Sequence, residues 1–193
     1  MSQSTITELP DDAGAVLLTL ARGAIGARLG LSSVASGPSA TGNDRWLDRP
    51  GATFVTLRLG QDLRGCIGSL MAHRPLRRDV QDNALAAAFQ DPRFRPLTVP
   101  EFHEMTVEVS VLSAPEPISY SNRAEALAAL RPGIDGVVLT AAGRRATFLP
   151  QVWDELPDRE VFIAHLLRKA GLPAGFWDDS VRLERYTVTA FEE

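Results

Sequence analysis

The order of strand and helix patterns most constrains the fold of this chain. Residues 53–59 have the alternation of a strand, residues 60–62 have turn chemistry, and residues 63–70 return as a second strand. A second hairpin pattern joins residues 136–141 to residues 144–149. No strand–helix–strand unit repeats, so the sequence predicts an α+β fold with a mostly antiparallel sheet and flanking helices.

Further patterns fill in the elements between these hairpins. Residues 105–112 form the clearest strand, with three valines on one face. Thr98 and Glu101 have the spacing of a capping box for a short helix. Helices are predicted at residues 11–29, 76–89, 122–130 and 161–170, and one last strand at residues 181–191.

Length and composition are those of one globular domain. The chain has 193 residues, and we expect a single domain over residues 12–190, with a tail at residues 1–11 and a long loop at residues 30–52. A larger and a smaller lobe would also fit this length. The net charge of -4 argues against a general binder of nucleic acid or of anionic membranes.

The sequence predicts no metal site and no cofactor. With one cysteine, the chain has no set of thiolates for a zinc or iron–sulfur site, and its three histidines lack ligand spacing. No apolar run reaches the ~18 residues of a membrane-spanning helix. We therefore expect a cytoplasmic protein.

That one cysteine lies in the segment Leu-Arg-Gly-Cys-Ile-Gly, which ends at Gly68. In a regular strand Arg64, Cys66 and Gly68 share one face, so the guanidinium would favour the thiolate. Gly65 and Gly68 would leave room for a ligand or a closely packed backbone. The alternative is structural: a buried thiol, glycines that serve packing, and an Arg64 paired with Glu108.

Glu108 and Ser110 are polar residues on one face of the strand at residues 105–112, and they converge with Arg64 and Cys66 if the two strands are neighbours. The alternative is a solvated sheet face.

Four further residues are candidate binding groups, each with an ordinary structural explanation. Asn83 lies in an alanine-rich helix, where an amide reaches a loop or the cysteine, or is simply exposed. Arg93 binds a ligand or a local carboxylate. Gln151 binds a ligand or caps a turn. Lys169 is the only lysine, and at a helix C-terminus it also complements the helix dipole.

Taken together, the motifs resemble the AMMECR family, whose prokaryotic members are called AmmeMemoRadiSam system protein A. The resemblance covers residues 12–190 and implies a two-part α+β domain, with two subdomains and a cleft between them near the cysteine. It also implies a link to a Memo-like protein and to a radical-SAM protein, but no established reaction. Many relatives have a second cysteine where this chain has Leu167. The matching segments are 53–57, 63–68, 79–89, 91–94, 108–112, 147–153 and 169–172.

Two functions remain open at this stage, and whether the protein is an enzyme stays undecided. In the first, Cys66 is the thiol of an enzyme or group carrier, Arg64 activates it or binds an anion, and Glu108 assists. In the second, the chain is a non-catalytic adaptor that holds a small molecule or a peptide in the cleft. A nucleic-acid role is disfavoured by charge. The candidate binding residues are Gly65, Gly68, Asn83, Arg93, Ser110, Gln151 and Lys169.

Overall fold

A computed structural model describes residues 9–31 and 44–193. The chain divides into two compact units. The first extends to Ser113 and includes Thr189–Glu193, and the second is Ala114–Val188. The predicted antiparallel α+β architecture is confirmed, whereas the cleft stays a prediction.

The first unit is built on a five-stranded sheet. Its helices are α1 (Ala13–Arg28), α2 (Leu76–Phe89) and α3 (Val99–Glu104), and a 3₁₀ helix covers Asp44–Asp48. Its strands are β1 (Pro50–Leu59), β2 (Asp62–Gly68), β3 (Arg74–Pro75), β4 (Met105–Leu112) and β9 (Val188–Glu192). The order is β2-β1-β4-β9, and β3 pairs with the start of β1.

The second unit is built on a four-stranded sheet. Its strands are β5 (Glu116–Pro117), β6 (Gly136–Ala141), β7 (Arg144–Phe148) and β8 (Arg182–Tyr186), in the order β5-β8-β6-β7. Its helices are α4 (Arg123–Ala128), α5 (Val152–Glu155) and α6 (Arg159–Lys169). The β6–β7 turn uses Ala142 and Gly143, which both have positive φ, as the twist of a tight hairpin requires.

The alternation of β1 and β4 decides which sheet face is the core of the first unit. Val55, Leu57, Val107 and Val109 are at most 1% exposed and pack in one cluster with side chains of α1 and α2. Because successive side chains alternate, Thr56 and Glu108 belong to the opposite face.

Two expectations need correction. The predicted last strand at residues 181–191 is two strands, because β8 pairs in the second unit's sheet and β9 in the first unit's sheet. The predicted loop at residues 30–52 ends earlier, because the 3₁₀ helix begins at Asp44 and β1 at Pro50. The rest of that loop, residues 32–43, and most of the predicted tail lie outside the described residues.

Candidate functional site

Cys66 lies in a row of polar side chains on the sheet face opposite to α1 and α2. The register pairs Cys66 of β2 with Thr56 of β1, and Thr56 with Glu108 of β4. The Thr56 hydroxyl donates a hydrogen bond to Cys66 Sγ over 3.4 Å. The Thr56 hydroxyl is therefore a hydrogen-bond donor to the sulfur. Cys66 itself is half-buried.

The backbone of Cys66 is held by an ion pair from the loop after α2. Asp91 Oδ2 accepts the Cys66 N–H at 3.0 Å, and Arg93 Nη2 donates to the Cys66 carbonyl at 3.3 Å. β2 is the end strand of the sheet order, so these two groups of Cys66 have no strand beside them. The ion pair takes the place of that strand and fixes the residue that carries the thiol.

The two members of this ion pair differ in exposure. The Arg93 side chain is 53% exposed, whereas the Asp91 side chain is 1% exposed. Hydrogen bonds from the Arg93 side chain and from the Cys66 N–H hold the pKa of Asp91 well below its usual range, against the effect of burial. Asp91 is therefore a poor base, and its partner presents a positive charge to solvent.

The prediction that Arg64 and Cys66 share one face of a regular strand is wrong, because the pairing of β2 with β1 is irregular at Arg64. Leu57 pairs with Gly65 but Arg58 pairs with Leu63, so Arg64 falls between two paired residues. Its Nε donates to Glu101 Oε1 at 2.9 Å, and its Nη2 donates to the Arg95 carbonyl at 2.8 Å. The alternative pairing with Glu108 is also wrong.

The predicted capping box of α3 is confirmed, and Glu101 has a second role in it. Its Oε2 accepts both the backbone N–H and the hydroxyl of Thr98, at 2.8 Å each. Bonds from Arg64 and from Thr98 lower the pKa of Glu101 to about 2. Arg64 is therefore tied to the start of α3.

Gly65 and Gly68 are both sites of close packing. A Cβ on Gly65 would lie 2.2 Å from the Ala87 carbonyl oxygen, so Gly65 lets the backbone of α2 approach the sheet. A Cβ on Gly68 would lie 2.3 Å from the Phe54 ring. The space beside each glycine is thus occupied by the protein itself.

Glu108 and Ser110 extend the polar row. The Ser110 hydroxyl donates to Glu108 Oε1 at 3.2 Å, and Glu108 is half-buried. The register places both residues on the face of Cys66, but β1 lies between β2 and β4, so the two strands are not the neighbours that the prediction assumed. Glu108 is one strand beyond Thr56, and its carboxylate accepts a hydrogen bond from Ser110 and not from Thr56 or Cys66 among the described residues.

Asn83 belongs to a buried polar network on the helix side of the sheet. Its amide nitrogen donates to the Thr53 carbonyl at 3.0 Å and to Asp79 Oδ2 at 2.9 Å. Asp79, which is 0% exposed, also accepts from Ser69 and Arg74. The network ties α2 to β1 and to the segment after β2, and each of these groups has a partner within it.

The other two candidate binding residues belong to the second unit. Lys169 Nζ donates to the Thr147 carbonyl at 2.9 Å and stands 5.0 Å from the centroid of the Phe148 ring. Gln151 is exposed and precedes α5, without a side-chain capping bond. Their predicted ligand roles stay predictions.

The histidines do not form a dyad with the thiol in the contacts of the described residues. His73 bonds to the Met71 carbonyl and His103 contacts the Phe102 ring. Within residues 9–31 and 44–193 there is no group of three or more metal-ligating side chains, and no helix long and apolar enough to cross a membrane.

Comparison with known proteins decides the family. The AMMECR1 family model matches residues 18–191. This chain belongs to the AMMECR1 family. It is similar to Protein LS215_2104 of Saccharolobus islandicus, with 37% identity over 97% of this chain and 85% of the relative. It is also 40% identical to Protein MJ0810 of Methanocaldococcus jannaschii, over 72% of each chain.

A solved structure supports the fold of this AMMECR1-family chain. The crystal structure of uncharacterized protein PH0010 from Pyrococcus horikoshii matches with a TM-score of 0.76 and 34% identity, over 96% of this chain and 93% of that one. The comparisons therefore establish family and fold, and a functional hypothesis must be argued from the side chains.

Proposed function

We propose that Cys66 is the reacting thiol of an enzyme or group carrier. The observation that carries the proposal is the hydrogen bond from the Thr56 hydroxyl to Cys66 Sγ. A half-buried thiol that merely fills space needs no hydroxyl donor, whereas a thiolate is stabilised by one. The ion pair of Asp91 and Arg93 supports the proposal because it holds the backbone of the same residue.

The chemistry of the proposal is the transfer of a group to sulfur. The thiolate donates an electron pair to an electrophilic centre of the ligand, a bond to sulfur forms, and the leaving group departs with its bonding electrons. The thiol proton passes to solvent. Asp91 is unsuited to accept it, because four hydrogen bonds from Cys66 and Arg93 stabilise its ionised form.

The resemblance noted in the sequence supplies the partner class for this proposal. A radical-SAM protein or a Memo-like protein would deliver the electrophilic group to Cys66 or remove it. Support for these partners rests on that resemblance alone. An adduct on Cys66, found by mass spectrometry of the protein isolated from its source cells, would identify the transferred group.

Alkylation by iodoacetamide tests the proposal, and every modified thiol is Cys66 because the chain has one cysteine. We expect the folded protein to react at pH 7, and Thr56→Val to react about two- to tenfold more slowly, which corresponds to a hydrogen bond of about 0.5–1.5 kcal/mol. Thr106→Val is the matched control, since Thr106 is an exposed residue of β4 that pairs with Arg58.

A different outcome would favour the alternative function. A thiol that reacts only after unfolding, with identical rates in Thr56→Val and Thr106→Val, would make Cys66 a packing residue and overturn the proposal. The chain would then be better described as a non-catalytic binding domain.

A further inference from the structure

Two arginines lie against the ring of Phe94 in the loop after α2: Arg93 of the same loop and Arg64 of β2. Cζ of Arg93 lies 5.5 Å from the centroid of the Phe94 ring, and Cζ of Arg64 lies 5.7 Å from the same centroid. We call Arg64 and Arg93 the Phe94 arginine pair. Of the two, Arg93 contacts Cys66 directly, through its hydrogen bond to the Cys66 carbonyl.

Each arginine of the pair has one nitrogen without a partner. Arg93 uses Nε and Nη2 on Asp91 and Cys66, which leaves Nη1 unbonded among the described residues. Arg64 Nη1 is buried and has no hydrogen-bond partner in that same part of the chain. The Arg64 side chain is only 10% exposed, so this nitrogen is a desolvated donor. A buried donor without an acceptor costs free energy, so a ligand oxygen that accepts a hydrogen bond from Arg64 Nη1 would be favoured.

The charges around the pair select the acceptor. Asp91 and Glu101 already neutralise the two guanidiniums, so every added negative charge is uncompensated and a dianion is disfavoured more than a monoanion. Because Asp91 is buried and Arg93 is half exposed, the guanidinium of Arg93 is accessible to solvent and the carboxylate of Asp91 is not. A single carboxylate matches one exposed guanidinium edge, whereas a phosphate dianion brings excess charge.

We infer that the Phe94 arginine pair binds the carboxylate group of the ligand that reaches Cys66. This inference rests on the proposed function and names its substrate class: a carboxylate-bearing electrophile. Arg93 makes the first contact through Nη1, and Arg64 Nη1, which is buried in this structure, becomes the second donor only after the groups that cover it move. The Phe94 ring supports both guanidiniums through cation–π contacts.

Paired alkylation reagents test the inference. Iodoacetate and iodoacetamide attack the same thiol, but only iodoacetate carries a carboxylate, so the ratio of their rate constants measures recognition of the anion and not the reactivity of the sulfur. We expect this ratio to be about fivefold higher in the folded protein than in the same chain unfolded in urea. A fivefold ratio corresponds to about 1 kcal/mol, the attraction between two unit charges about 4 Å apart in water. Arg93→Gln should abolish the difference, and added salt should reduce it.

Arg95→Gln is the matched control, because Arg95 is exposed, is two residues from Arg93 and bonds to Arg64 only through its backbone carbonyl. We expect it to keep the preference for iodoacetate. A preference that is absent in the folded protein, or that survives in Arg93→Gln, would overturn the inference while leaving a reactive Cys66 intact.

A second measurement keeps the inference independent of thiol reactivity. In the full chain labelled with ¹⁵N, the arginine Nε–H resonances are titrated with acetate and, separately, with inorganic phosphate. We expect acetate to shift the Arg93 resonance saturably and more strongly than phosphate does. With a thiol inert to both reagents, an acetate shift at Arg93 would retain the carboxylate site and refute only the proposed function. No shift at Arg93 would overturn the site.

Discussion

Arg64 Nε donates to Glu101 Oε1 at 2.9 Å, and this bond joins the edge strand β2 to the first turn of α3. Glu101 is also the third residue of α3 and the carboxylate of its capping box, so one carboxylate stabilises both the helix start and the Arg64 side chain. The guanidinium that a regular strand would place beside the thiol is therefore used in the structure of the first unit.

The Arg64–Glu101 bond predicts how stability depends on pH. Hydrogen bonds from Arg64 and Thr98 lower the pKa of Glu101 from 4.5 to about 2, so its stabilisation is complete above about pH 4.5 and is lost as the pH falls through about 2. We expect the difference in unfolding free energy between the wild type and Glu101→Gln to shrink over that interval, measured by urea denaturation. An unchanged difference across the interval would contradict this assignment.

The close packing at Gly65 predicts that one added methyl group lowers the stability of the fold. In Gly65→Ala the new Cβ would lie 2.2 Å from the Ala87 carbonyl oxygen, so β2 or α2 must shift. We expect a loss of about 1–3 kcal/mol in unfolding free energy, the usual cost of overpacking. Gly175→Ala is the control, because a Cβ there meets nothing within 4 Å, and its effect should stay within about 0.5 kcal/mol. Equal effects would refute the packing role.

The row of Cys66 was only partly within reach of the sequence. Counting outward from the predicted turn at residues 60–62 does pair Thr56 with Cys66, but the strands close one residue earlier, with Leu59 paired to Asp62, and the irregularity at Arg64 offsets that difference. The capping box was predicted because Thr98 and Glu101 are neighbours in the chain. Local spacing is enough where partners are close in sequence.

Long-range contacts decide what the sequence could not show. Arg64 leaves the alternation at an irregularity next to Gly65, where α2 approaches. The loop at residues 91–93 reads as a rigid turn, and only the folded chain shows that its carboxylate binds the Cys66 N–H. Residues 181–191 read as one strand because β-propensity does not specify which sheet a residue joins.

The buried hydrogen bonds of Asn83 predict that replacing this residue lowers the stability of the fold without changing the reactivity of the Cys66 thiol. Asn83→Ala would remove the amide donor to Asp79 and to the Thr53 carbonyl. We expect a loss of about 1–3 kcal/mol, because buried acceptors remain without that donor. The alkylation rate of Cys66 in the folded protein should stay within about twofold, since no bond links Asn83 to the Cys66 row among the described residues. Normal stability with a large loss of reactivity would instead place Asn83 in the thiol site.

In the second unit, replacing Lys169 tests whether the contacts of this side chain stabilise the fold. Its ammonium donates to the Thr147 carbonyl and lies over the Phe148 ring, so Lys169→Met should cost about 0.5–1.5 kcal/mol of unfolding free energy through the lost hydrogen bond and cation–π contact. Arg168→Met is the matched control: it removes a positive charge from an exposed neighbour in the same last helical turn, and it should cost less. Thermal or urea denaturation of both variants measures the difference. If Lys169→Met and Arg168→Met are equally stable, the contacts of Lys169 do not stabilise the fold, and its predicted ligand role becomes the better explanation of this residue.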